Sequence, residues 1–104
     1  MIPISKVRDL ISKHKSLEKE LSSGEIDKKK FAEKSKEYSD LNEIIQEAND
    51  YNSFESSKED LEKILTDKDS DEEMKELANT ELEDLIKKNE KNEKKMKKSR
   101  IEFF

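Results

Sequence analysis

The chain has 104 residues, of which 47% are charged and 30% hydrophobic, and its formal net charge is −5. The chain contains a single Gly and a single Pro, and half of its residues are Ala, Glu, Lys, Leu or Arg. This composition is typical of long helices or coiled coils and excludes a sheet-rich domain with a large core. The lack of cysteine excludes a disulfide framework, and no hydrophobic run approaches the ~18 residues that a membrane span needs, so we expect a soluble cytoplasmic protein without membrane contact.

A first helix is predicted to begin at Pro3, which is tolerated in a first helical turn, and to end before Gly24, which can adopt a left-handed conformation. Steps of three and four residues place a set of mostly apolar side chains on one face of this helix. This set is Ile4, Val7, Ile11, His14, Leu17 or Glu18, and Leu21.

A long second helix is predicted from the N-cap Asp27 to about residue 65, because no Gly or Pro interrupts this stretch. Its expected apolar positions are Phe31, Tyr38, Leu41, Ile45, Ala48, Tyr51 or Asn52, Phe54, Leu61 and Ile64 or Leu65. The segment 49–57, "NDYNSFESS", is rich in Asn and Ser, whose side chains compete for backbone hydrogen bonds. It predicts either a kink or a split of the helix there.

A third helix is predicted after the acidic turn at 66–71, with Ser70 and Glu73 as a capping box. Asp71, Glu72 and Glu73 are expected at the positive end of the helix dipole. Its apolar stripe comprises Met74, Leu77 or Ala78, Leu82, Leu85 or Ile86, and Met96, with Asn89 and Asn92 interrupting it. The predicted fold is therefore all-α: a short N-terminal helix packed on a long antiparallel helical hairpin.

Acid–base pairs four residues apart are expected to support the helices with ~0.2–0.5 kcal/mol each. They are Glu59–Lys63, Glu83–Lys87, Asp84–Lys88, Glu90–Lys94 and Glu93–Lys97. Residues 87–100 carry eight bases against two acids, whereas residues 55–85 carry thirteen acids against four lysines. The basic segment is interpreted as a solvated helix end or, alternatively, as a contact for nucleic acid or a ribosome.

No constellation in the sequence predicts catalysis. His14 is the only histidine and is interpreted as a core or boundary residue, because neither a second histidine nor a cysteine accompanies it. The acidic run that begins at Asp67 lacks the Gly and the Glu that a calcium loop needs at its sixth and twelfth positions, where Glu72 and Ala78 stand. We therefore expect no catalytic residue, no metal site and no cofactor.

Three segments in order carry a family resemblance: "KVRDLISKHKSLEKEL", then "KKFAEKSKEYSDLNEIIQEANDY", then "DLEKILTDKDSDEEMKELANTELEDLIKKNEK". Residues about 1–97 resemble the N-terminal helical domain of a bacterial class I peptide chain release factor, of the type that reads UAA and UAG. The resemblance implies an accessory arm that docks at the ribosomal stalk base, near the L11 protein and its ribosomal RNA. Candidate ribosome-contact residues are Lys87, Lys88, Lys91, Lys94, Lys95, Asp67 and Lys68.

The codon-reading Pro-x-Thr and the catalytic Gly-Gly-Gln of that family lie in later domains. This chain has no Pro after Pro3 and no Gly after Gly24, so the resemblance implies no peptidyl-tRNA hydrolysis and no enzymatic activity. We also expect no contact with DNA.

The chain departs from the family pattern after residue 97, where it reads "KKSRIEFF". We interpret 1–97 as the family domain, 98–104 as a tail outside the family, and the whole as a truncated fragment. An exposed apolar "IEFF", together with an apolar face that other domains no longer cover, raises the hypothesis of a homodimer of the isolated domain. The alternatives are a stand-alone helical or coiled-coil interaction module and a disordered polyampholyte.

Overall fold

In a computed structural model that describes residues 1–103, the chain forms four α-helices joined by short turns. These are α1 (Ile4–Ser23), α2 (Lys28–Asn42), α3 (Ile45–Thr66) and α4 (Glu72–Lys98). The all-α prediction is confirmed. The predicted count of three helices is wrong, because the long second helix is divided into α2 and α3.

The ends of the first two helices follow the sequence signals. Pro3 precedes α1, and Gly24 ends it in the left-handed conformation with φ 72°. Asp27 is the N-cap of α2, and its carboxylate accepts a hydrogen bond from the Lys29 backbone N–H at 3.4 Å. Gly24 adopts its positive φ without steric cost because it has no Cβ. The predicted signals for the start and end of α1 and for the start of α2 are confirmed.

The division between α2 and α3 falls at Glu43 and Ile44, so the predicted kink or split at 49–57 is wrong in position. Ile44 has φ −120° and ψ 6°, which takes it out of helical geometry, and its side chain is only 1% exposed. Segment 49–57 stays helical because long-range contacts engage two of its side chains. The Tyr51 hydroxyl accepts from the Ile2 backbone N–H at 3.2 Å, and the Asn52 amide oxygen accepts from Arg8 Nε at 3.1 Å.

The fourth helix begins one residue later than the predicted capping box implies. Asp71, not Ser70, is the N-cap, and its carboxylate accepts from the Met74 backbone N–H at 2.8 Å. A carboxylate at this position caps an N–H group and also lies at the positive end of the helix dipole, so it serves better than a neutral hydroxyl. Glu72 and Glu73 occupy the first turn, as predicted.

Helices α3 and α4 form an antiparallel hairpin, which confirms that part of the prediction, and α1 packs against both α2 and α3. The molecule is 60 Å long, close to the combined length of α2 and α3 at ~1.5 Å per residue. One central core lies where these helices meet, and nothing in it is charged. Its buried members are Ile2, Val7, Leu10, Leu17, Leu41, Ile44, Ala48, Tyr51, Met96 and Phe103.

Three side chains that the sequence places on inward stripes are exposed instead: Ile4, Phe31 and Met74. Where the sequence left two choices in α4, Ala78 is buried and Leu77 is exposed, and Leu85 is half-buried and Ile86 is exposed. Met74 and Leu77 lie in the first two turns of α4, where only the end of α3 is available to cover them. Phe31 lies in the first turn of α2 and is 50% exposed, so its prediction as an inward apolar position is wrong. Leu10, absent from the predicted stripe, is buried in the core.

The C-terminal segment packs on the protein. Phe103 is 4% exposed within the central core, and Ile101 is partly buried against it. The expectation of an exposed apolar "IEFF" is therefore wrong for these two residues, and Phe104 lies outside the described residues. The homodimer hypothesis therefore loses one of its two supports, the exposed tail, and stays a prediction.

A polar layer interrupts the α3/α4 hairpin at the level of Ser53, Ser57, Asn89 and Asn92, which line a cavity of about 140 Å³ together with residues of both helices. Asn92 is buried, and the buried Asn89 Oδ1 has no hydrogen-bond partner in the described part of the chain. The predicted interruption of the α4 stripe therefore faces the Asn- and Ser-rich segment of α3. We call residues 55–86, which run from this layer to the far end of the hairpin and back, the outer arm.

Candidate interaction surface

The last turns of α4 hold the basic segment 87–100, and half of its eight bases are paired with acids. Lys88 Nζ lies 3.4 Å from Asp50 Oδ2, and Lys95 Nζ donates to Glu47 Oε1 at 2.6 Å, so both connect α4 to the start of α3. The remaining two pairs are Lys97–Glu93 at 3.1 Å and Arg100–Asp40 at 3.6 Å. These four bases hold helices together or support a helix end.

The pKa values of two glutamates report on these pairs. Burial alone would raise the pKa of Glu47, but the hydrogen bond from Lys95 and a backbone hydrogen bond outweigh it, so the pKa is lowered. The pKa of Glu93 is lowered chiefly by the hydrogen bond from the Met1 amino group, at 2.9 Å, and then by Lys97. The same contact with Glu93 raises the pKa of Lys97. Both glutamates are therefore held in the charged form.

The other four bases form an exposed row that we call the lysine stripe: Lys87, Lys91, Lys94 and Lys98. At 100° per residue these positions fall within about 60° of one another around the helix, and they extend along ~16 Å of its axis. None of them makes an ion pair within residues 1–103. Three facing acids of α3 and α2 bind Lys88, Lys95 and Arg100 instead, and Glu43, across the groove from the stripe, is not in ion-pair contact with any of the four. The stripe therefore concentrates positive charge on one face, with Glu43 as the acid opposite.

A groove of about 470 Å³ lies beside the stripe, where α4 passes the α2/α3 junction. Lys91, Lys94 and Lys98 line it from α4, and Glu43 and Ile44 line it from the junction. Glu43 is the acid on the far wall, and Ile44 is an apolar lining residue whose side chain is buried. Such a groove can receive an anionic group at ammonium nitrogens, but within residues 1–103 it offers no aromatic ring for stacking.

The candidate contact residues from the sequence separate into two distant groups. Lys87, Lys88, Lys91, Lys94 and Lys95 lie together on the end of α4, but Lys88 and Lys95 are engaged in ion pairs.

Asp67 and Lys68 lie in the turn at the opposite end of the hairpin, at least ~20 Å away at 1.5 Å per residue of helix. Asp67 has a local role there, since its carboxylate accepts from the Asp69 backbone N–H at 2.9 Å.

Lys98 was missed among the candidates, although its spacing from Lys87, Lys91 and Lys94 is a readable signal. The expected pairs four residues apart were a poor guide to which lysines are engaged. Among the described residues, Glu93–Lys97 forms, whereas Lys88 pairs across to Asp50 rather than with Asp84. An acid on a facing helix competes with one on the same helix, and spacing along one helix does not reveal it.

His14 is a half-buried boundary residue between α1 and α2, as interpreted from the sequence. Its ring stacks on Tyr38 with centroids 4.8 Å apart, and its Nε2 lies 3.0 Å from Asn42 Oδ1. Since an amide oxygen only accepts, Nε2 is the donor. Across residues 1–103, no group of three or more His, Asp or Glu side chains is placed to hold a metal ion, and no helix is long and apolar enough to cross a membrane.

Comparison with known proteins gives the family. The family model of the PCRF domain matches residues 10–101, which is most of the chain. The chain belongs to the PCRF domain family. It is 65% identical over 97 residues to peptide chain release factor 1 of Pelagibacter ubique (strain HTCC1062), covering 93% of this chain and 27% of that protein.

Two further relatives are more distant peptide chain release factors 1. That of Wolbachia pipientis subsp. Culex pipiens (strain wPip) is 39% identical over 77 residues, covering 73% of this chain and 21% of the relative. That of Alkaliphilus oremlandii (strain OhILAs) is 34% identical over 87 residues, covering 82% of this chain and 24% of the relative. The chain thus spans about a quarter of the length of the relatives it matches. No solved structure matches it.

Proposed function

We propose that the chain is the helical arm of a translation termination factor, that it acts in the cytoplasm, and that it docks on the ribosome at the stalk base, near the L11 protein and ribosomal RNA. The observation that carries this proposal is the 65% identity to a peptide chain release factor 1 over nearly the whole chain. The division into a domain at 1–97 and a tail at 98–104 stays a prediction, and the burial of Phe103 in the core is a contact across that boundary.

The role of the arm is positioning rather than chemistry. The central core anchors one end of the hairpin, so the exposed faces of the hairpin are presented in a fixed geometry relative to that core. The sequence contains no Gly-Gly-Gln and no Pro-x-Thr, so this chain supplies no group that would promote hydrolysis or read a codon. The candidate contacts are those that the sequence indicates at the end of α4 and in the turn at 67–68.

Docking is tested by binding of the purified chain to ribosomes with and without L11, at two salt concentrations. The expected result is binding that requires L11. If a chain with a helical circular dichroism spectrum fails to bind ribosomes of either kind, the docking role is wrong. A scrambled-sequence polyampholyte of the same composition is the control for nonspecific charge attraction.

The absence of catalysis is tested separately in a stop-codon-dependent release assay. The chain is expected to liberate no peptide from peptidyl-tRNA in the ribosome, whereas a full-length relative of the same family does so in parallel. Release above background by this chain alone would contradict the proposal, because no residue of the chain would account for it.

A further inference from the structure

We infer that the lysine stripe, Lys87, Lys91, Lys94 and Lys98, binds the phosphate backbone of RNA without reading its bases. The first observation is the division of the basic segment into two sets. Lys88, Lys95, Lys97 and Arg100 are paired with acids, so the net positive charge of this end is presented by the stripe. Charge that the fold does not use is available to a partner.

The arrangement of the stripe suits a linear row of anions. The four side chains repeat every three or four residues, so their attachment points are ~4.5–6 Å apart along the helix axis. They are exposed, and three of them line the groove beside Ile44. A backbone of successive phosphates can contact the four ammonium groups in turn, and each contact releases condensed counterions.

A protein partner fits this surface poorly. The cores of protein–protein interfaces are enriched in aromatic residues, Met and Arg and depleted in Lys. Among residues 1–103, the stripe and its groove contain lysines, Glu43 and Ser99 but no aromatic or Arg residue, and Ile44, the apolar residue beside them, is buried. The same features disfavour insertion into a lipid surface, which needs an exposed apolar face.

Binding by the stripe is expected to be independent of base sequence. Readout of single-stranded bases requires aromatic or Arg planes for stacking, and Lys provides only a point charge. The choice of RNA among phosphate polymers rests on the proposed function, whereas the lysine–phosphate contact rests on the geometry of α4.

The test is fluorescence anisotropy of labelled 20-nucleotide oligouridine and oligoadenosine RNAs with the full chain at 50 and 200 mM salt. For four phosphate contacts on a single strand, the affinity should fall about 50-fold between the two salt concentrations. The variant Lys91→Gln/Lys94→Gln/Lys98→Gln, with one contact left, should lose affinity at 50 mM salt and show only about a threefold salt effect. Oligouridine and oligoadenosine should behave alike.

The matched control is Lys28→Gln/Lys29→Gln/Lys30→Gln, which changes the net charge equally at exposed positions at the start of α2. It should bind like the unmodified chain. Equal losses in the two variants, a strong preference for one RNA, or no binding by the unmodified chain would each overturn the inference. Because this assay contains no ribosome, it can fail while docking at L11 succeeds. Conversely, RNA binding can hold in a chain that does not dock.

Discussion

The two halves of the α3/α4 hairpin are stabilised in different ways. The inner half contributes Ile44, Ala48, Tyr51 and Met96 to a core that α1 also enters. In the outer arm, Ala78 is the one fully buried residue among those described, and Leu61, Leu82 and their neighbours are only partly covered. Residues 55–85 also carry thirteen acids against four lysines, and like charges oppose close approach.

This difference shows that one anchored end can support a long hairpin. The outer arm adds reach while contributing little burial, since no third helix covers it. Stability in proteins is uneven, and segments with few buried apolar contacts open first. The outer arm is therefore expected to exchange its amide hydrogens faster than the inner half does.

The largest expected difference between the two halves comes from making the same Ile→Ala substitution in each of them. Ile44→Ala should lower the free energy of unfolding by about 2–5 kcal/mol, because it removes a fully buried side chain and leaves a cavity. Ile86→Ala in α4, where the side chain is 39% exposed, should cost about 1 kcal/mol or less. Urea denaturation followed by circular dichroism measures both.

If Ile44→Ala does not fold, Ile44→Val provides the same comparison with an expected loss of about 0.5–1.5 kcal/mol. Equal losses at positions 44 and 86 would mean that the outer arm is as tightly packed as the core, and the contrast between the halves would be wrong.

The second effect concerns the C-terminal segment. Phe103→Ala should destabilise the protein by about 1.5–3 kcal/mol, because the ring is buried in the central core. Phe31→Ala is the control, since that ring is 50% exposed, and its effect should stay near 0.5 kcal/mol. Thermal unfolding of both variants decides whether residues beyond 97 belong to the folding unit. A Phe103→Ala variant as stable as the unmodified chain would exclude them.

Local signals predicted the fold well where one residue determines the outcome. Pro3, Gly24 and Asp27 delimit helices because each affects its own backbone or the next turn, and hydrophobic spacing found most of the core. The break at Ile44 was not predicted, because no Gly, Pro or cap residue marks it. It depends on tertiary packing, as does the helical state of segment 49–57.

The candidate surface was predicted as a region but not in its details. Composition identified the basic end of α4, yet it could not separate Lys91, which is unpaired, from Lys88 and Lys95, which bind Asp50 and Glu47. That distinction depends on which acids of α3 face α4. Helical spacing alone would have added Lys98 to the individual candidate residues, because it continues the row of lysines that begins at Lys87.

A smaller effect tests the polar layer that separates the two halves of the hairpin. Asn89→Leu should raise the free energy of unfolding by about 1 kcal/mol more than Asn79→Leu, since it removes a buried oxygen without a partner beside a cavity. Asn79 is exposed on the same helix, so the control subtracts the difference in helix propensity between Asn and Leu. No difference between the two variants would indicate that Asn89 Oδ1 is satisfied in solution, for example by an ordered water.

The smallest effect is a pH dependence that belongs to the inner half. The folded-state pKa of Glu47 is lowered, so its ion pair with Lys95 adds stability above the ordinary glutamate pKa of 4.5, and this stability is lost as the pH falls through the folded-state value. The contribution should be about 1 kcal/mol or less, because Lys95 remains largely exposed.

Glu47→Gln should therefore lower stability at pH 7 and leave it nearly unchanged at pH 3, whereas Glu55→Gln, at an exposed outer-arm position, should change little at either pH. Urea midpoints at the two pH values measure this. If Glu47→Gln is equally destabilising at pH 3, its effect comes from packing rather than charge. The Glu47–Lys95 ion pair would then add nothing to the anchoring that the core provides.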